Sequence, residues 1–186
     1  MELPDFGSLN GRNNEQLARV LGFFIKLNAY AVPLYTFLLL DIRFAFVQDF
    51  VRDASFFLLN SAGFSPALNG YVLSIPITNG SWGAVINWDC TGWKSLLFMF
   101  ALVMAAGRSM DKKLAGLAVL LPLVFAVNIA RIFFMFWIAS TNLALFPVIH
   151  AVVWSFGLLA AVLIFWILWM KWDTIKEQAR GIFLRL

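Results

Sequence analysis

The sequence predicts an all-α integral membrane protein with about four transmembrane helices, an outer amphipathic helix and a small outer β-hairpin. Three observations carry this expectation. Of the 186 residues, 62% are hydrophobic and only 13% are charged, too little polar surface for a water-soluble domain of this length. The apolar residues gather into blocks at about 20–40, 93–106, 114–139 and 148–170. All but the short second block are near the ~20 residues that cross ~30 Å of hydrocarbon at 1.5 Å per residue. The basic residues fall between the blocks as four crossings require, with both chain ends on one side.

The elements follow in chain order. The first sixteen residues are polar and mixed in charge, and no small-residue cleavage site follows the first apolar block, so a cleaved signal peptide is not expected. After the first block, Asp41, Arg43, Asp49, Arg52 and Asp53 recur among Phe, Val and Leu through residues 41–60. Charges at that frequency exclude a span and predict an amphipathic helix on, or partly inserted in, the outer surface. Asn79-Gly80 then separates two β-prone runs, 71–77 and 82–88, the pattern of a hairpin. Pro76 confines its strand to an edge or a bulge. Asn79-Gly80-Ser81 also fits a glycosylation acceptor, though triplets of this kind are common by chance. The second block needs tilt or a thinned bilayer to cross. The tail 172–186 mixes basic residues with Ile175, Ile182, Phe183 and Leu184 and predicts a cytoplasmic interfacial helix against anionic lipid.

Charge sets the orientation. Ten of the fourteen Lys and Arg fall on one side: Arg12, Arg19 and Lys26; Arg108, Lys112 and Lys113; Lys171, Lys176, Arg180 and Arg185. Arg43, Arg52 and Lys94 fall on the other, and Arg131 lies within a span. Both termini are therefore expected in the cytoplasm of a multi-pass protein of the cell membrane, with segment 41–92 outside. The same distribution accounts for the net charge of +4 with no nucleic-acid partner. Membrane lipid is the expected surrounding. No phosphate-binding or dinucleotide glycine motif is present, so no cofactor is expected.

Three polar residues stand out. Cys90, the single cysteine, cannot form an internal disulfide. It lies in Asp89-Cys90-Thr91-Gly92, at the outer N-terminus of the second block, where unpaired N–H groups favour a thiolate. Asp89 opposes that ionisation, so its side chain is expected to point away. Gly92 allows a tight turn or close backbone approach. Arg131 falls ~25 Å from the cytoplasmic end of its span, in the outer third, and an intramembrane cation marks a functional site by default. Asn128 shares its helix face. His150, the only histidine, opens the fourth block three residues after Pro147. Three positions remote in sequence thus reach one depth. Each has a plain alternative: an inert packed thiol, an interfacial imidazole, a structural partner for an acid such as Asp89. One Cys and one His fall short of a metal site.

In this order and spacing, these segments resemble the exosortase and archaeosortase transpeptidases over roughly residues 54–169. Asp89-Cys90-Thr91-Gly92 resembles their Cys-Ser-Gly segment, with Thr91 in place of the commoner Ser. Asn128-Ile129-Ala130-Arg131-Ile132 resembles their Asn-x-x-Arg segment, and His150 matches their third catalytic position. The resemblance implies an enzyme that cleaves membrane-anchored protein substrates at a C-terminal sorting signal. The new carboxyl end passes to an acceptor, a membrane lipid in the better understood members. Cys90 would be the nucleophile, His150 the acid–base and Arg131 the oxyanion stabiliser, with Asn128, Thr91 and Gly92 at the substrate. Two other readings use the same residues: a membrane cysteine protease that only hydrolyses, and a non-catalytic binding or transport subunit in which Arg131 holds an anion.

Overall fold

The computed structural model describes residues 6–78, 80–152 and 156–173, with side chains placed for 14–78, 80–150 and 156–173. Asn79, the expected glycosylation acceptor, and residues 174–186 of the expected interfacial tail lie outside them. The first apolar block forms α1, Phe6–Tyr30, and α2, Val32–Leu39, joined at Ala31 with a bend of 43°. Pro33, at the start of α2, causes the bend: it lacks an N–H and its ring crowds the carbonyl of residue 29. Asp41 then takes a left-handed φ of 49° and pairs with Arg43 at 2.6 Å, so the chain turns before the amphipathic helix begins. That helix, α3, spans Ala45–Ser61. Its buried Val51, Ser55 and Leu59 recur every fourth residue. On the opposite face Arg52 bridges Asp49 and Asp53.

A three-stranded antiparallel sheet follows, in the order β1 (Ala67–Asn69), β2 (Val72–Ile77), β3 (Gly80–Val85). The hairpin expected from the sequence is β2–β3, paired from Ile77↔Gly80 to Val72↔Val85. The short β1 is an addition, joined to β2 through Gly70 at φ 61°. It makes β2 the central strand, yet β1 pairs only as far as Ser74. Pro76 lies past that point, where its missing N–H interrupts no ladder.

The second block is α4, Trp93–Ala105, and the third is α5, Met110–Thr141. Within the fourth block, α6 covers Phe146–Val152 and α7 covers Leu158–Met170; residues 153–155 between them are not described. Among the described residues, only α5 is by itself long and apolar enough to cross a bilayer, and α1 with α2 qualifies as a bent pair. With 13 residues, α4 rises only ~20 Å, about 10 Å short of the hydrocarbon.

Helix α5, with 32 residues, rises ~48 Å and serves two cores. Its first half, with Leu120 and Val124, packs against Met99 and Val103 of α4 and Leu158 and Val162 of α7. Its second half, with Ile129, Ile132 and Phe136, packs against Val51, Leu59, Leu73, Ile75 and Ile86 of α3 and the sheet. Around the bundle, large apolar side chains such as Ile25 and Leu39 lie 70% and 83% exposed, a surface suited to lipid and not to water. At the end away from the sheet, Arg108 donates to the carbonyl of Met170 at 2.5 Å, and Lys112 pairs with Asp173 at 2.8 Å. The α4–α5 link and the end of α7 therefore meet at one end, as the charge distribution requires.

The tightest helix contact predicts its own test. A Cβ at Gly116 would lie 2.6 Å from the Trp169 indole. Gly116→Leu should lower stability by about 1–3 kcal/mol through overpacking, measured as earlier thermal unfolding in detergent. Unchanged unfolding would contradict this α5–α7 packing.

Candidate active site

Cys90 is held by its backbone first. After β3, Trp88–Thr91 forms one 3-10 turn whose N-cap is Asn87. The Asn87 side-chain oxygen accepts from the Cys90 N–H at 3.1 Å and from its thiol at 3.2 Å. The Cys90 carbonyl accepts a hydrogen bond from Asn128 Nδ2 of α5 at 2.9 Å. Gly92 makes that approach possible. Its φ of 74° ends the turn and starts α4, and a Cβ there would lie 2.8 Å from Asn128 Cγ. Thr91, fully buried, donates its hydroxyl to the Trp88 carbonyl at 2.8 Å and accepts from the Trp93 N–H at 3.4 Å. The turn is braced further by Trp88 stacked on Trp93, ring centres 5.6 Å apart.

Beside Cys90 lies a cavity of about 500 Å³. Cys90, Arg131 and His150 all line it, with Gly92, Asn87 and Lys94. The three residues that the sequence placed at one depth thus share one cavity. Asn128 and Thr91, expected at the substrate, are not in its lining. Both are buried, and their hydrogen bonds go to the turn that carries Cys90. Arg131 lies one turn beyond Asn128, so the helix that tethers the cysteine also delivers the guanidinium. Asp89 pairs with Lys94 at 2.8 Å, and both line the same cavity as Cys90.

His150 comes from α6, carried by aromatic packing. Its imidazole stacks on Phe146 at 5.3 Å, Phe146 meets Trp82 of β3 edge-on at 4.7 Å, and Trp82 meets Phe136 of α5 at 5.2 Å. Rings at these separations each add about 0.5–1.5 kcal/mol beyond burial. Asn87, Trp82 and Phe146 were not singled out in the sequence. Asn87 had a signal, since Asn three residues before a helix-start amide is a capping spacing. Trp82 and Phe146 had none among so many aromatic residues.

Burial pushes the Cys90 thiol above its ordinary range, and the Asp89 carboxylate adds to this. A backbone hydrogen bond from Asn87 and the charge of Arg131 oppose it without prevailing. This direction runs against the resting thiolate expected from the helix N-terminus, because burial penalises the charged sulfur.

The fold and cavity together define a helical membrane protein with a cysteine, an arginine and a histidine gathered at one end of its bundle. The profile described as Transmembrane exosortase (Exosortase_EpsH) matches residues 7–153. The chain belongs to the transmembrane exosortase family. It is also 32% identical over 91 residues to archaeosortase A of Haloferax volcanii, a match covering 46% of this chain and 30% of that protein. The matched region thus spans under a third of that relative's length. No solved structure matches the chain.

Two measurements test this geometry. Gly92→Ala combines a disfavoured φ with the clash on Asn128. It should cost at least ~2 kcal/mol, read as a lowered unfolding temperature. Alkylation of Cys90 by iodoacetamide should rise with pH through an inflection above the ~8.5 of an unperturbed thiol. An inflection below 8 would mean that a thiolate rests in the folded protein.

Proposed function

We propose that this chain is a protein-sorting cysteine transpeptidase acting on membrane-anchored substrates that carry a C-terminal sorting signal. The observation that carries the reading is the single cavity lined by Cys90, Arg131 and His150. Family membership supports it at the level of reaction class.

The mechanism starts from a neutral thiol. His150 takes the Cys90 proton as the sulfur attacks the scissile carbonyl. Arg131, always charged and fork-shaped, stabilises the oxyanion that forms, where water is scarce. The tetrahedral intermediate collapses, the C–N bond breaks, and His150 returns the proton to the leaving amine. A thioester on Cys90 remains. An acceptor nucleophile, with a membrane lipid as the leading candidate, attacks the thioester and releases the thiol. Asn128 and Thr91 act here as positioning residues for the Cys90 turn, while Gly92, which lines the cavity, both shapes the turn and faces the substrate. Asn87 joins them by fixing the direction of the S–H.

We also place four crossings in the bilayer, both termini in the cytoplasm and the cavity at the outer face. The ~48 Å rise of α5 supports this. A helix ~18 Å longer than the hydrocarbon carries its far half, with Arg131 near the boundary, into the outer layer formed by α3 and the sheet. The short α4 crosses where the bilayer is thinned or its flanking turns are drawn in.

The test is intact mass spectrometry of a co-expressed anchored substrate, with wild type and with Cys90→Ala. Wild type should remove the C-terminal segment and add the mass of an acceptor, while Cys90→Ala does neither. Removal without addition would mean a protease. Identical products from both enzymes would end the catalytic reading and favour a binding or transport subunit. Arg131→Lys keeps the charge but loses the fork, and should slow thioester formation by about 10²–10³ in single-turnover assays. Asn87→Ala removes the acceptor of both the Cys90 N–H and the thiol, so it should lower stability by about 0.5–2 kcal/mol, reduce the rate and shift its pH profile.

A further inference from the structure

A second cavity lies at the opposite end of the bundle, between α5 and α7. Its volume is about 570 Å³, and the sorting chemistry makes no use of it. Its wall is apolar: Gly116, Val119 and Leu123 from α5 face Phe165 and Leu168 from α7. Val119 and Leu168 remain 59% and 48% exposed, so the groove opens to the side. Its mouth is different. Among the described residues, Arg108 and Lys112 stand there with one carboxylate, Asp173, which both of them approach, at 3.6 and 2.8 Å. Two cations against one anion give the described rim a positive surplus, and Lys112 keeps donors beyond the one that Asp173 takes.

The dimensions name the occupant. From Lys112 to Leu123 is eleven residues of helix, ~16 Å, about half the ~30 Å hydrocarbon. A slot with cations at one end and apolar walls one leaflet deep matches one phospholipid with an anionic headgroup. We propose that this groove is a specific site for an anionic phospholipid of the leaflet on the Arg108–Lys112 side. The phosphate sits at Arg108 and Lys112, and an acyl chain runs past Gly116 toward Leu123. The absence of a side chain at Gly116 lets the Trp169 indole lie against the helix, so that ring forms part of the groove wall. The site would tie α5 to α7 at the end where no sheet braces them.

The full chain would be placed in nanodiscs of phosphatidylcholine alone or mixed with phosphatidylglycerol, and retained lipid counted by native mass spectrometry. Wild type should retain one phosphatidylglycerol with at least about a fivefold preference, the contribution of one cation near an anionic lipid, and unfold at a higher temperature in the mixed discs. Arg108 also anchors Met170, so the informative variants are at exposed positions. Lys112→Gln should lose most of the preference, and Val119→Trp should fill the groove and abolish retention while unfolding normally in phosphatidylcholine. Soluble glycerol phosphate should give no protection. Equal retention of both lipids by wild type, an undiminished preference in Lys112→Gln, or full protection by glycerol phosphate would each overturn the proposal. Cys90→Ala should behave as wild type here, so failure at this site leaves the catalytic reading untouched.

Discussion

One hydrogen bond, from Asn128 Nδ2 to the carbonyl of Cys90, joins the long helix to the turn that carries the nucleophile. Everything at the site is referred to it. The turn comes from the outer sheet, and the helix comes from the membrane bundle. The link adds direction to the apolar packing between them, which by itself does not fix direction. Both partners are buried, so a missing partner would cost about 1–3 kcal/mol. The link needs Gly92, because any side chain there would occupy the space of the Asn128 amide. Arg131 then follows by helical periodicity, one turn further along the same face.

The two cores explain why α5 must be long. A bundle helix that stopped at the bilayer surface would leave α3 and the sheet with no apolar wall. By continuing past Ile129 to Phe136, α5 gives the outer layer its floor. The exposed ion pairs on α3 contribute little to this, since such pairs are worth about 0–1 kcal/mol in water. The same extension lets Phe136 reach Trp82, and through Phe146 the rings carry His150 to the cavity wall.

A buried, neutral thiol has a functional logic in this position. A resting thiolate at a membrane surface would meet water and oxidants between turnovers. Here desolvation holds the proton on sulfur, and the Asn87 oxygen gives that proton a partner. In the proposed reaction the proton leaves only as the sulfur attacks, with Arg131 to compensate the negative charge that forms. The opposing effects of burial and Arg131 on one thiol are both consequences of its place between sheet and helix.

Much was legible in the chain itself. Apolar block lengths and the placement of Lys and Arg marked a membrane protein with one positive end, and the contacts of Arg108 and Lys112 with the end of α7 agree. Asp41–Asp53 marked a helix that could not be a span, and Asn79-Gly80 marked the hairpin, because local charge frequency and turn chemistry act within a few residues. Helix rise alone brought Cys90, Arg131 and His150 to a common depth. Depth is one coordinate, however, and local signals supply no others. That these residues share a cavity, that Asn128 and Thr91 hold the cysteine turn, and that Trp82 and Phe146 position the imidazole depended on the packing of remote segments. The ionisation of Cys90 depended on it as well. A helix N-terminus is visible in sequence, but the burial that opposes it exists only once α5, the sheet and the turn have closed around the sulfur.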